Sequence, residues 1–166
     1  RLLDCGVKRV VSVDRNPRSN SSAVADADCG IEYLCANACT VDTAIQDLTA
    51  AADLVIITLP SGPAESCIAE VAPTLSCDAL LVDTLSVKTP FLSALERLSI
   101  KSEILSVNPM FAPTLGFAGQ SVLLVEQKPG PRSNAFKHLL RQWCGHIVSL
   151  TAQEHDRYSA ASQALT

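Results

Sequence analysis

The chain alternates between short unbroken apolar runs and stretches whose apolar residues recur at helical spacing. Arg9-Val10-Val11-Ser12-Val13-Asp14 reads as a buried strand ending in an acid, and Ile31 to Leu34 as a short strand. Thr40 to about Ala51 reads as a helix with Val41, Ala44, Ile45 and Leu48 on one face. Asp53 to Leu59 is a continuous apolar strand, the mark of a parallel sheet covered on both sides. Ser61 is placed as the cap of a helix with the stripe Ala64, Ile68, Val71 and Ala72. Ala79 to Asp83 is the next strand, and Thr89 caps a helix that carries Pro90 at its first position. Glu103 to Val107 and Ser121 to Glu126 are further strands. Phe136, Leu139, Leu140 and Trp143 mark a helix stopped by Gly145, and His146 to Leu150 is a last short strand.

Strands and helices in alternation predict an α/β fold with a doubly wound, mostly parallel sheet and right-handed crossovers. Ligands of such sheets bind at the carboxyl ends of the strands. Those ends are Asp14, Leu59-Pro60-Ser61, Asp83-Thr84-Leu85-Ser86 and Asn108-Pro109-Met110. Between the first two strands, Asn16-Pro17-Arg18 and the Ser-rich Ser19 to Ser22 read as a turn or loop. The chain opens on what reads as a helix tail capped by Gly6. It closes on a helix begun by the capping box Thr151-Ala-Gln-Glu154, with His155, Ser159, Ser162 and Gln163 on one polar face and Tyr158, Ala161 and Leu165 on another. Both ends read as truncated. No internal repeat is visible.

Composition narrows the class. The 166 residues are 48% hydrophobic and 18% charged, so a core can be buried, and aromatics at 4% leave that core to aliphatic side chains. The net charge of −4 argues against nucleic acid as a partner. No apolar run reaches the roughly 18 residues of a membrane span, and no signal peptide is visible. Seven Cys without a C-x-x-C argue against zinc and against a full disulfide framework. They read instead as small buried thiols in a reducing cytoplasm.

Several residues carry candidate chemistry. Asp14 ends what reads as the second strand of a dinucleotide fold, where a carboxylate accepts both ribose hydroxyls; an acidic turn residue is the alternative. Arg15 beside it is placed to pair with a 2′-phosphate or to remain a surface charge, so NAD and NADP both stay open. Leu59-Pro60-Ser61-Gly62 brings small residues and free N–H groups to a helix start, which suits either a ligand or a tight connection. Thr84 joins this cofactor-facing set. Gly116-Phe-Ala-Gly119 lacks a strand–turn–helix context and reads as a loop.

Two segments go beyond such generic features: Val82-Asp-Thr-Leu-Ser-Val-Lys88 and Ser106-Val-Asn-Pro-Met-Phe-Ala-Pro113. With Glu154-His155-Asp156 and Ser162-Gln163-Ala164-Leu165, they resemble the prephenate dehydrogenase family in order and separation over roughly residues 8 to 166. The resemblance implies a Rossmann-like NAD(P)-binding domain over residues 1–150, lacking its first strand and glycine loop. Residues 151–166 would open a helical domain for substrate binding and homodimer formation. The implied reaction is NAD(P)-dependent oxidative decarboxylation of prephenate in tyrosine biosynthesis, in the cytoplasm. Ser86 would lie near the C4 substituent and the nicotinamide, Lys88 would help hold the site together, and Gln163 would face substrate. Unaided, Ser86 reads as a helix cap and Lys88 as a surface charge.

Asn108 departs from the family pattern. The family usually has His at this position of His-Pro-Met-Phe-Gly-Pro, as the base for the 4-hydroxyl proton. Asn does not titrate, although its amide still donates and accepts hydrogen bonds. Losing a general base typically costs about 10²- to 10⁴-fold. His155 is the nearby candidate to replace it, with a solvent-facing helix residue as the alternative. A 4-amino substrate, 4-amino-4-deoxyprephenate, removes the difficulty, because a neutral amine pushes its lone pair without prior deprotonation. The other readings are a non-catalytic NAD(P)-binding homologue and a β-hydroxyacid-type dehydrogenase; the Met-Phe-Ala-Pro block disfavours the latter.

Overall fold

The computed structural model describes residues 2–17, 30–40, 42–144 and 146–163. Seven strands and five α-helices are described: β1 Val10–Asp14, β2 Ile31–Cys35, α1 Thr43–Ala51, β3 Leu54–Ile57, α2 Ser61–Val71 and β4 Leu80–Asp83, then α3 Thr89–Arg97, β5 Glu103–Pro109, β6 Ser121–Lys128, α4 Pro131–Trp143, β7 His146–Ser149 and α5 Ala152–Gln163. The predicted loop Ser19 to Ser22, Val41, Gly145 and the pair Ala164–Leu165 lie outside the described residues.

The strands form a five-stranded sheet, β3-β4-β5-β6-β7, and a separate parallel pair, β1-β2. Every pairing is parallel except β5 with β6. This is the mostly parallel α/β architecture that the alternation predicts. It differs in being split: among the described residues, β1 bonds only to β2 and β3 only to β4. The two sheets still share a core, since Val13 and Leu34 pack on the same cluster as Ile57, Ile68, Leu81 and Phe91.

β4 sits at the centre of that core. All four of its residues are buried. Leu81 joins the cluster beneath α1, α2 and α3, whereas Leu80 and Val82 join the opposite cluster with Phe136 and Leu140 of α4. A strand covered on both faces has no use for alternation, which is why its sequence is an apolar run.

Several helix starts differ from their predicted positions. Asp42, not Thr40, caps α1, its carboxylate accepting from Ala44 N at 2.8 Å and Ile45 N at 3.3 Å. Ser61 is the first residue of α2 rather than its cap; Pro60 holds the cap position and supplies no side-chain bond. Thr89 is likewise inside α3, with Lys88 at the cap. The capping box does form at α5: Glu154 accepts from Thr151 N at 2.9 Å, and Thr151 Oγ1 accepts from Glu154 N at 3.2 Å. Gly6 caps its short turn in the left-handed region, at φ 86°.

The cysteines depart from expectation. Of the six described, only Cys67 is buried, while Cys5, Cys35 and Cys77 are exposed. Burial, helped by neighbouring Cys39, pushes the Cys67 thiol up to about 11. The exposed thiols ride on surface turns and the outer strand β2, where the apolar rhythm is weakest.

Candidate active site

β4 and β5 end side by side, and their last residues build the centre of the site. Asp83 closes β4 facing Ser106 of β5. The Ser106 hydroxyl donates to one oxygen of the Asp83 carboxylate. The other oxygen accepts from Leu85 N at 3.1 Å and from Lys88 Nζ at 2.6 Å. Lys88 Nζ also donates to the Val107 carbonyl at 3.0 Å. The side chains of Lys88 and Asp83 are 0% and 1% exposed. Burial pulls the Lys88 ammonium below its usual range, and the Asp83 carboxylate opposes that pull. Lys88 is thus no surface charge: it ties the loop after β4 to the end of β5, one residue before Asn108.

α5 packs over this junction. His155 and Ser159, four residues apart on one helix face, are both buried. The Asn108 Nδ2 lies 3.0 Å from His155 Nε2 and donates to Ser159 Oγ at 3.5 Å. His155 Nδ1 lies 3.0 Å from Asp156 Oδ1. The same Asp156 carboxylate accepts from the main-chain N–H of Lys88 at 2.7 Å and of Thr89 at 2.9 Å. Burial works to raise the pKa of Asp156, but bonds from the Thr89 hydroxyl, the two main-chain amides and His155 outweigh it and hold the carboxyl at about 2.

These contacts fix the hydrogens. An ionised Asp156 only accepts, so His155 Nδ1 carries the proton and donates. In the neutral ring the lone pair of His155 is then on Nε2, placed to accept from Asn108 Nδ2. The Asn108 oxygen Oδ1 takes no hydrogen bond among the described residues and keeps contact with solvent.

His155 does not stand as an open base. Its side chain is 0% exposed and both ring nitrogens are engaged. The alternative of a solvent-facing helix residue fails as well. Ser86 is exposed on the loop between β4 and α3, two residues before the α3 cap, and its hydroxyl makes no hydrogen bond among the described residues. Gln163 ends α5, but its side chain lies outside the described residues.

The residues expected from sequence to face a cofactor occupy the neighbouring strand ends. Asp14 is exposed at the end of β1, and its carboxylate accepts from Asn16 N at 2.8 Å. Arg15 beside it is exposed. Thr84 donates its main-chain N–H to Ile57 O at 3.0 Å, drawing the loop after β4 toward β3. Leu59 is half-buried in the turn out of β3, and Pro60 and Ser61 are exposed at the start of α2. A Cβ added at Gly62 would meet nothing within 4 Å, so the first turn of α2 stands open.

Asp83, Ser106, Asp156 and Ser159 complete the network without having been singled out as site residues from sequence. Asp83 had a signal, an acid ending an apolar strand five residues before a lysine. Asp156 had one in its place beside His155. Ser106 and Ser159 had none beyond strand alternation and helical spacing.

Comparison with known proteins gives the family and the fold. The family model described as "Prephenate dehydrogenase, nucleotide-binding domain" matches residues 4–131. A 4-amino-4-deoxyprephenate dehydrogenase from Streptomyces pristinaespiralis is 36% identical over 117 residues, covering 70% of this chain and 40% of that protein. The chain therefore spans well under half the length of this curated relative. Prephenate dehydrogenase from Aquifex aeolicus superposes with a TM-score of 0.71 at 21% identity, over 99% of this chain and 63% of the other. The same protein in complex with hydroxyphenyl propionate and NAD+ gives 0.72 at 21% identity, over 99% and 61%. These two likenesses establish the fold, and the match over residues 4–131 places this chain in the prephenate dehydrogenase family.

Proposed function

We propose that the protein containing this chain is an NAD(P)-dependent dehydrogenase that oxidatively decarboxylates a cyclohexadienyl substrate bearing an amino group at C4, such as 4-amino-4-deoxyprephenate. The observation that carries this reading is Asn108, whose Nδ2 is committed to His155 while Oδ1 is left open as an acceptor. An acceptor suits an N–H of the substrate. It does not replace a base, and His155 has no lone pair to spare. The 36% identical relative, itself named for the 4-amino substrate, supports the same reading.

The residues present suit a dinucleotide. Asp14 offers a carboxylate to ribose hydroxyls, Arg15 a cation beside it, and the uncapped start of α2 offers main-chain N–H groups with open space at Gly62. Leu59, Pro60 and Thr84 shape the same edge. When bound, NAD(P) supplies the acceptor for hydride. Hydride leaves C4 while the amine lone pair forms a C=N bond. Loss of CO2 from C1 then returns an electron pair to the ring, which becomes aromatic with its amine restored. Asn108 orients the amine by accepting its N–H. Ser86 stands near the reacting carbon. Lys88 holds the ends of β4 and β5 in register. A hydroxyl at C4 is a poorer lone-pair donor until a base takes its proton, so prephenate is the handicapped substrate here.

In this reading α5 opens a second, helical domain through which two copies associate, and the protein works in the cytoplasm. Among the described residues no helix is long and apolar enough to cross a membrane.

The test is NAD(P)H formation by the longest natural form containing this chain, with prephenate and its 4-amino analogue in parallel. A kcat/KM at least about tenfold higher for the amine is expected. Ordinary turnover of prephenate with none of the analogue overturns the reading. Binding of NAD(P) without turnover of either would make the protein a nucleotide-binding homologue.

A further inference from the structure

We propose that Asp156 and His155 are positioning residues that set the substrate preference of the site without touching substrate. They do so by deciding which end of the Asn108 amide is left open. This inference rests on the proposed amino substrate and identifies what enforces it.

The two ends of a primary amide have nearly the same size and opposite hydrogen-bonding character. Packing alone does not choose between them; partners do. At Asn108 the deciding partner is His155 Nε2 at 3.0 Å. An imidazole presents either a lone pair or an N–H at that atom, depending on which nitrogen carries the proton. Asp156 removes the choice. Its Oδ1, 3.0 Å from His155 Nδ1, requires a donor there, which in the neutral ring leaves the lone pair on Nε2. Asn108 must then turn its NH2 inward and its carbonyl outward. Ser159 Oγ, 3.5 Å from the same Nδ2, is a hydroxyl that accommodates either end, so the choice rests with His155.

Asp156 is itself fixed by the fold. It accepts two main-chain N–H groups at the start of α3, from Lys88 and Thr89. The Lys88 side chain is in turn held by Asp83 and Val107 O. The polarity of the Asn108 amide is thereby tied to main-chain positions at the ends of β4 and β5. Asp156, His155 and Asn108 therefore act as one unit.

Freeing the imidazole frees the site. Asp156 Oδ1 serves both Lys88 N–H and His155 Nδ1, so the informative change removes the carboxylate altogether. In Asp156→Ala nothing at Nδ1 requires a donor, and the ring takes either tautomer. Wherever Nε2 carries the proton, Asn108 flips and presents NH2 outward, where a neutral amine finds a donor instead of an acceptor.

The experiment uses the longest natural form and three proteins: wild type, Asp156→Ala and His155→Leu. Asp156→Ala removes the group that fixes the imidazole, and His155→Leu removes the acceptor that faces Asn108 Nδ2. The ratio of kcat/KM for the amine to that for prephenate is read for each. Nitrogen-15 NMR reads the protonated nitrogen of His155 and the side-chain amide protons of Asn108. The expected results are an Nδ1–H imidazole in wild type, a loss of that single tautomer in Asp156→Ala, and a ratio lowered several-fold in both variants, up to about tenfold, the scale of one mis-paired buried hydrogen bond. If Asp156→Ala does not fold, His155→Leu, which spares the α3 cap, carries the same test and must still lower the ratio. An Nε2–H imidazole in wild type overturns the proposal. So does loss of the single tautomer with an unchanged ratio. A merely structural role would lower both substrates together and leave the ratio alone. Should wild type prefer prephenate, the amino-substrate reading fails, while the NMR signals still decide the arrangement of Asp156, His155 and Asn108.

Discussion

Asp156 caps a helix to which it does not belong: from α5 its carboxylate accepts the main-chain N–H of Lys88 at 2.7 Å and of Thr89 at 2.9 Å, at the start of α3. A helix start leaves N–H groups without intrahelical partners, and a carboxylate there is favoured by both hydrogen bonding and the helix dipole. Lys88, at the cap position, has no acceptor to offer, since an ammonium only donates, and it is turned inward to Asp83. α4 uses the same device: Glu103 of β5 accepts from Arg132 N at 3.1 Å and Ser133 N at 2.7 Å.

The Asp156 cap has a pH signature. Its carboxyl is lowered from 3.8 to about 2 on folding, so the native state binds fewer protons than the unfolded chain between those values. The stabilisation is fully present above about pH 4 and is lost as pH falls through about 2. Asp156→Ala is expected to cost about 1–2 kcal/mol at pH 7, allowing for its partial exposure. In urea titrations the gap between wild type and variant narrows steadily from pH 4 downward; a constant gap across that range would refute the linkage.

The Lys88–Asp83 pair is buried, and breaking one side leaves a charge alone in the core. Lys88→Met is expected to destabilise by about 3–5 kcal/mol. Lys88→Met with Asp83→Leu should cost clearly less than the two single changes added together, as a double-mutant cycle in urea will show. Additive losses would mean the two charges do not depend on each other.

Restoring a base at position 108 should move the substrate preference. Asn108→His is expected to raise prephenate turnover relative to the amine by at least about tenfold, toward the low end of what a general base contributes. Steady-state kinetics on both substrates measures it, and an unaltered ratio would remove Asn108 from specificity.

The open start of α2 predicts a separable effect on cofactor. Gly62→Glu places a negative charge where main-chain N–H groups face outward, and a Cβ there meets nothing within 4 Å. Folding stability should stay within about 0.5 kcal/mol, since an acid at a helix start is tolerated or mildly favourable. Affinity for NAD(P) should fall about tenfold by calorimetric titration. Unchanged affinity would place the dinucleotide elsewhere.

The sequence by itself determined the architecture and the order of its parts. The run Leu80-Leu81-Val82 must be covered on both faces, and that requirement, repeated along the chain, makes a mostly parallel sheet with functional residues at strand ends. It also supplied the blocks around Ser86, Lys88, Asn108 and His155, and the Asn that stands where the family has a base. Helix starts were less legible, because Lys88 and Pro60 occupy cap positions without capping side chains, and for α3 the caps come from 67 and 68 residues away. Only the tertiary structure decided that Lys88 is buried rather than solvated, and that His155 faces Asn108 rather than a substrate. Hydrophobic periodicity specifies which side of an element is inward. It carries no information on which polar groups meet once α5 lies across the ends of β4 and β5, and a hydrogen-bond network that joins six side chains from three separate segments, partly through the main chain of Lys88, exists only there.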